Sequence, residues 1–192
     1  MVGKHEQDTK KKITDAAYKV LAELGYDNLS MKQIAAEAGV AQGLINYYFA
    51  SKEQLLFELF KEVEQEYSRY IQSINDIPFS DHFVEQALRI PSELAESHPE
   101  WHRIRFELFA IGMRSKAGMK QAADNLRYCR NETMRLMERL PIDPNTDREG
   151  IASLLVAAID GIALQKITDP EFDADKAYGV LGRLLGSLLK PE

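Results

Sequence analysis

Apolar residues recur along this chain with the 3.6-residue period of helices. Ile13, Ala16, Ala17, Val20, Leu21 and Leu24 form one stripe within Thr9 to Leu24, and Gly25 follows where a helix C-terminus favours αL backbone. The elements then shorten. Ser30-Met31-Lys32-Gln33 has the form of a capping box, with Leu29 and Ile34 as its staple. It predicts a two-turn helix to about Ala38, with Ile34, Ala35 and Ala38 facing inward. Gly39 turns the chain, Val40 plugs the turn, and Ala41 to about Tyr48 forms a second short helix with Ile45 and Phe49 inward. Ser51-Lys52-Glu53-Gln54 repeats the cap and opens a longer helix to about Ile71, whose apolar face is Leu55, Leu56, Leu59, Phe60, Val63 and Tyr67.

Asn75-Asp76-Ile77-Pro78 interrupts the pattern, and five more helices are predicted beyond it. They span about Asp81 to Ser97 with a kink at Pro91, Pro99 to Arg114, Ala117 to Arg139, a third capping box at Thr146 to Ile167, and Ala174 to Leu189. No strand-like alternation, internal repeat or low-complexity tract competes with this reading. The expected fold is all-α: nine helices in two domains, a helix-turn-helix domain at 1–52 and a helical domain at 53–192.

Helices of two turns are marginal in isolation, so the pair at 30–48 needs an outside reason. Reading DNA supplies one, because a short helix enters the major groove with its N-terminal residues at base edges while flanking donors grip phosphate. Ala41, Gln42, Gly43, Leu44, Asn46, Tyr47 and Tyr48 lie off the inward Ile45/Phe49 face. Gln42 has the geometry to pair with adenine and Gly43 permits close backbone approach. The tyrosine hydroxyls suit phosphate, as do Ser30 and Lys32 at one helix start and Lys52 at another. The bland alternatives are surface residues for Gln42 and Asn46, packing on the first helix for the tyrosines, and a mere cap for Ser30. Lys10-Lys11-Lys12 is read as either a solvated terminus or a phosphate-contacting arm.

The motifs Gly25-Tyr26, Leu29-Ser30-Met31, Ile34-Ala35, Ala38-Gly39-Val40, Gly43 through Phe49 and Ser51-Lys52-Glu53 together resemble the N-terminal domain of the TetR family of bacterial transcriptional regulators. The resemblance covers residues 9–60. Family members typically carry serine or threonine where Ala41 stands and tyrosine where Asn46 stands, so Asn46 becomes a candidate base reader. The resemblance implies a regulator, most often a repressor, released from a palindromic double-stranded DNA operator by a small-molecule effector. It also implies that the second domain dimerises and binds the effector.

The residues offer independent reasons for a homodimer. Gly179, Gly182 and Gly186 stand in one row of the last helix, where each costs ~1 kcal/mol relative to alanine, and close approach of another helix would explain them. The preceding helix is small-faced at Ala152, Val156 and Gly161. Packing within one chain is the competing explanation. For an effector pocket the candidates are Phe83, Trp101, Phe106, Phe109, Met113 and Tyr128, joined by Cys129 and the polarizable methionines Met119, Met134 and Met137. Of Arg103 and Arg105, adjacent alternating positions, at most one faces inward.

Charge changes the picture modestly. The net of −6 argues against a protein that coats nucleic acid indiscriminately. Residues 1–52 carry seven lysines against six acids, whereas the remaining 140 residues carry 17 basic against 24 acidic side chains. A DNA contact confined to the opening segment is compatible with that split. Cys129 is the only cysteine, Met1 to Lys12 lacks the apolar core of a signal peptide, and no apolar run approaches the ~20 residues of a membrane span. A cytoplasmic protein without membrane partners is expected. His98-Pro99-Glu100-Trp101-His102 has the wrong glutamate spacing for a zinc-protease helix, no phosphate loop occurs, and no catalytic group, metal or cofactor is implied. The rival reading is a helical small-molecule-binding protein or enzyme whose N-terminal helix pair is purely structural. It predicts no salt-dependent DNA binding.

Overall fold

A computed structural model of the chain describes residues 2–189, with side chains from residue 6 onward. Among the described residues there are nine helices: α1 (Val2–Asn28), α2 (Met31–Ala38), α3 (Gln42–Tyr48), α4 (Lys52–Asn75), α5 (Phe83–Ser97), α6 (Pro99–Gly112), α7 (Lys116–Met137), α8 (Arg148–Thr168) and α9 (Ala174–Gly186). The all-α, nine-helix reading holds, and the extended pairing in the described residues is limited to one antiparallel bridge between Ile142 and Leu189. The predicted stretch Thr9 to Leu24 lies within α1, where Gly25 adopts φ 70, ψ 173. That is not the αL cap expected of it but a region open essentially to glycine alone.

Local chemistry explains the helix ends. Ser30 caps α2 by accepting the Gln33 N–H at 3.3 Å, and its hydroxyl donates to Gln33 Oε1 at 2.6 Å. Ser51 accepts the Gln54 N–H at 3.1 Å, and Gln54 Oε1 reaches back to the Ala50 N–H at 2.7 Å. The third cap lies one residue later than expected. Asp147, not Thr146, accepts the Gly150 N–H, because a carboxylate two bonds from its backbone reaches that donor. Pro91 leaves α5 unbroken and is buried within it.

The chain divides into two compact units, Met1–Glu64 with Arg103–Ala123 and Gln65–His102 with Asp124–Glu192. The sequence boundary at 52/53 falls inside the first unit, which also recruits the end of α6 and the start of α7. The first unit buries Ile13, Ala17, Ile34, Ile45, Phe49, Leu55, Leu56 and Leu59 almost completely. Its tie to the recruited segment is polar as well as apolar: the Tyr26 N–H donates to Glu107 at 2.9 Å, and the Ser115 hydroxyl donates to Glu53 at 2.9 Å. Arg105 is the buried member of the arginine pair, with its guanidinium 4.9 Å from the Phe109 ring centre, and Arg103 is exposed.

Two apolar clusters lie within the second unit among the described residues. Leu88, Ile162, Ala174 and Tyr178 join α5, α8 and α9, while Met137, Ile142 and Ala152 join α7, the following loop and α8. The Ser92 hydroxyl donates to Asp175 at 2.9 Å, pinning α5 to α9, and Arg139 donates to the backbone and side-chain oxygens of Asn75 at 2.7 and 2.9 Å. Contrary to the sequence expectation, α8 is long and apolar enough to cross a membrane by length and composition. Its Ala152, Val156, Ile162 and Ala163 are nonetheless buried inside this unit.

Candidate nucleic-acid interface

The turn between α2 and α3 is built by one glycine. Gly39, at φ 60 and ψ 39, donates to the Ala36 carbonyl at 3.2 Å, and Val40 donates to Ala35 at 3.0 Å. These two bonds satisfy the last carbonyls of α2 in a Schellman arrangement and fix the direction in which α3 leaves. Ile45, fully buried, and Phe49, 1% exposed, anchor one side of α3. A seven-residue helix with that side filled must present the other to solvent.

That outward side carries the predicted reading residues together. Ala41, Gln42, Gly43, Leu44, Asn46 and Tyr47 are all exposed, with Tyr47 at 74%. Tyr48 is half-buried and stacks edge-on against Tyr47 at 5.2 Å between ring centres. An exposed tyrosine ring on a short helix covers no core, so its hydroxyl remains available to an acceptor. Ala41 precedes α3 without a side-chain cap bond, as alanine must. Ser30 and Lys32 are exposed at the start of α2, and Lys32 has no ion-pair partner among the described residues.

Several other lysines are engaged within the unit. Lys52 donates to the Tyr26 and Leu29 carbonyls at 2.7 Å each and sits 3.9 Å over the Tyr26 ring. Burial pushes its pKa below the usual lysine value, and the amine clamps the α1–α2 junction. Lys10 pairs with Glu58 at 3.2 Å, and Lys11 pairs with Glu62 at 2.9 Å and with Asp15. Burial lowers the Lys11 pKa, but hydrogen bonds to Asp15 and Glu62 more than offset this and raise it overall. Lys19 is raised by its 2.6 Å hydrogen bond to Glu37. Two of the three lysines in the 10–12 cluster therefore tie α1 to α4.

A second feature lies wholly within the second unit. A cavity of about 80 Å³ is walled by leucines and isoleucines of α4, α7, α8 and α9, with Phe83, Val84, Ala87 and Leu88 of α5. Its polar lining is Tyr67, Tyr70 and Thr133. Tyr67 Oη lies 3.2 Å from Thr133 Oγ1 and 3.5 Å from the Cys129 carbonyl, to which Thr133 also donates at 2.9 Å.

Of the predicted pocket residues, Phe83 and the middle-helix methionine Met137 line this cavity and the others do not. Trp101 is buried elsewhere in the unit, Tyr128 bonds through its hydroxyl to Ser68, and Phe106, Phe109 and the exposed Met113 belong to the first unit. Sequence reasoning missed Tyr70, Leu136, Leu155, Leu185 and Leu188. Only Tyr70 offered a signal, as a hydroxyl beside the apolar stripe of α4.

The predicted interface residues scatter. Ala152 and Val156 are buried inside their own unit, and a Cβ on Gly182 would meet Leu88 of α5 at 3.5 Å, an ordinary van der Waals contact with the same chain. Gly161, Gly179 and Gly186 face open space or only the tip of Arg183. Beside them Leu154, Leu164, Val180 and Leu184 are exposed by 43–71%. His98 pairs with Glu100 at 3.2 Å and His102 is buried, and no three metal-ligating side chains converge among the described residues.

The capped α2, the glycine turn and the exposed α3 define a helix-turn-helix DNA-binding protein. Residues 13–59 match the model for the N-terminal domain of bacterial regulatory proteins of the TetR family, and residues 83–190 match the BetI-type transcriptional repressor C-terminal model. The chain is 30% identical over 171 residues to the HTH-type transcriptional regulator PksA of Bacillus subtilis, covering 86% of this chain and 82% of PksA. It is 52% identical over 50 residues to the Fatty acid metabolism regulator protein of the same organism, 26% of each chain. The crystal structure of FadR from Bacillus subtilis in complex with stearoyl-CoA superposes with a TM-score of 0.72 at 25% identity, covering 94% of this chain and 99% of that one. This chain belongs to the TetR family of transcriptional regulators.

Proposed function

We propose that this regulator is a homodimeric repressor that binds a palindromic operator and leaves it when a small apolar molecule occupies the second unit. The observation that carries the reading is the outward face of α3, where Gln42, Gly43, Asn46 and Tyr47 are exposed together over a filled Ile45/Phe49 side. Gln42 and Asn46 would read base edges, while Tyr47, Ser30 and Lys32 would hold phosphate. Two copies would place two such helices about 34 Å apart, in successive major grooves.

The exposed Leu154, Leu164, Val180 and Leu184 on α8 and α9 support dimerisation, since an apolar face of this kind favours a partner over water. With Gly161, Gly179 and Gly186 beside them they make a surface a second copy would cover. The cavity beside α4 supports an effector site, and α4 contributes residues to both units. A coupling of roughly 1–3 kcal/mol between ligand and operator is enough for regulation. The protein would act in the cytoplasm, where the operator is.

The test is fluorescence anisotropy with DNA from upstream of the protein's own gene. Wild type should bind, with affinity falling steeply as salt rises. Gln42→Ala and Tyr47→Ala should each weaken binding by about tenfold, equivalent to ~1–3 kcal/mol per contact. Unchanged affinity in both variants, or binding indifferent to salt, would show the assigned face to be wrong.

A further inference from the structure

The cavity of the second unit is lined by a phenol whose hydroxyl is bonded to no other group among the described residues. Tyr70, on α4, lines it, and its Oη makes no hydrogen bond among the described residues. Tyr67, one turn earlier, is by contrast bonded to Thr133 and the Cys129 carbonyl. Outside the cavity wall, a second phenol, Tyr178 of α9, is 5% exposed and its Oη is buried without a partner among the described residues. Native interiors rarely leave polar groups unanswered, and such exceptions ask for an explanation.

The chemistry around Tyr70 narrows what would answer it. Burial is the first cause that raises the pKa of both phenols above the ordinary tyrosine value, so each stays a neutral O–H donor through the physiological range. No residue lining the cavity is charged. An ionised head group brought there would lose its hydration without gaining a counter-charge, which is heavily unfavourable. The charge that does act on both phenols is Asp160, which is negative and opposes an anion. Asp160 is not part of the cavity wall, so it offers no direct pair to a cation either. Beyond Tyr67, Tyr70 and Thr133 the wall is apolar and mostly aliphatic, with Phe83 the one further ring, and the space of about 80 Å³ admits a guest only where flexible side chains such as Met137 and Leu136 move aside. A slim chain asks less of them than a rigid ring system.

We infer that the cavity takes an uncharged molecule with an extended apolar chain and one hydrogen-bond-accepting oxygen, a carbonyl of the ketone, ester or acyl type, which the Tyr70 hydroxyl engages. This rests on the reading of the cavity as the effector site.

The experiment compares three probes of similar chain length on the full protein: 2-tridecanone, dodecanoate and dodecyltrimethylammonium. Calorimetric titration gives the affinities, and the shift in thermal midpoint reports binding to the native state. The ketone should bind tightest in wild type, a ranking that tests the ligand class without any variant. Tyr70→Phe, which keeps the ring, should weaken ketone binding by about tenfold, equivalent to 1.4 kcal/mol. The unliganded melting curve of the variant checks its fold. Stronger binding of either ion than of the ketone keeps the cavity but overturns the neutral class. Unchanged ketone affinity in Tyr70→Phe overturns the anchor. Failure of all three probes to bind overturns the effector-site reading, and this inference with it.

Discussion

The first unit closes its interior, while the second leaves room in it. Around the helix-turn-helix, Ile13, Ile34, Ile45, Leu55 and Leu59 are fully buried, and the junction carbonyls of Tyr26 and Leu29 are answered by Lys52. In the second unit the cavity persists among leucines and isoleucines, and the Tyr178 hydroxyl is buried without a partner among the described residues. Interiors normally pack as densely as organic crystals, so a retained void lined by methionine and leucine suits a region that must accept a guest. A reading head benefits from the opposite property. Its bases are recognised by side chains whose positions must not wander, and a filled core under α3 supplies that.

The sharpest way to break this comparison is to carve an equal hole in each unit. Ile45→Ala removes a fully buried side chain beneath α3, where the Gly39 turn and the Phe49 anchor leave little room for collapse. It should cost about 4 kcal/mol, near the upper half of the range for such changes. Ile159→Ala, at the wall of the existing cavity, should cost about 1–2 kcal/mol, because its side chain is already only partly buried. Urea unfolding of both variants measures the difference. Equal losses would mean that the second unit is packed as tightly as the first.

A smaller effect tests the backbone of the first unit. Gly25 holds φ 70 and ψ 173 where α1 gives way to the turn before α2. A Cβ added there meets nothing within 4 Å, so any loss in Gly25→Ala is conformational rather than steric crowding by neighbours. The expected cost is about 2 kcal/mol. A thermal midpoint unchanged from wild type would mean the turn relaxes freely, and the first unit is then less rigid than its core suggests.

The same contrast decides what the sequence reveals. Helix starts, the α2–α3 turn and the inward Ile45/Phe49 pair depend on residues within four positions of one another, so capping and periodicity expose them. Even there the reach is limited. Lys52 looks like a phosphate donor beside Ser51, because its partners Tyr26 and Leu29 stand 26 and 23 residues earlier. Asp147 takes the cap of α8 from its neighbour Thr146, a choice periodicity does not make. The cavity is harder still. Its wall is built largely from ordinary leucines and isoleucines on five helices, and such a residue facing a void has the same spacing as one facing core. Large aromatics drew attention instead, and among Phe83, Trp101, Phe106, Phe109, Met113 and Tyr128 only Phe83 lines the space. Gly182 shows the same difficulty: the row it shares with Gly179 and Gly186 suggests another chain, yet Leu88 of the same chain is what approaches it.

The finest discrimination lies between two lysines of the first unit. Lys32 is exposed and without an ion-pair partner among the described residues, whereas Lys52 is clamped over Tyr26 with its pKa lowered by burial. If phosphate contact falls to the exposed amine, Lys32→Met should reduce the slope of log affinity against log salt by about one and leave thermal stability nearly unchanged. Lys52→Met should do the reverse. It removes the Lys52 donor from the Leu29 carbonyl and one of the two donors from the Tyr26 carbonyl, which keeps the Leu29 N–H, for a loss of about 1 kcal/mol, while the salt slope keeps its wild-type value. Salt titrations of operator binding and urea unfolding, run on both variants, separate the two roles. A reduced salt slope in Lys52→Met would mean that its amine leaves the two carbonyls when DNA arrives. The first unit would then have to rearrange on binding, against the rigidity argued from its filled core.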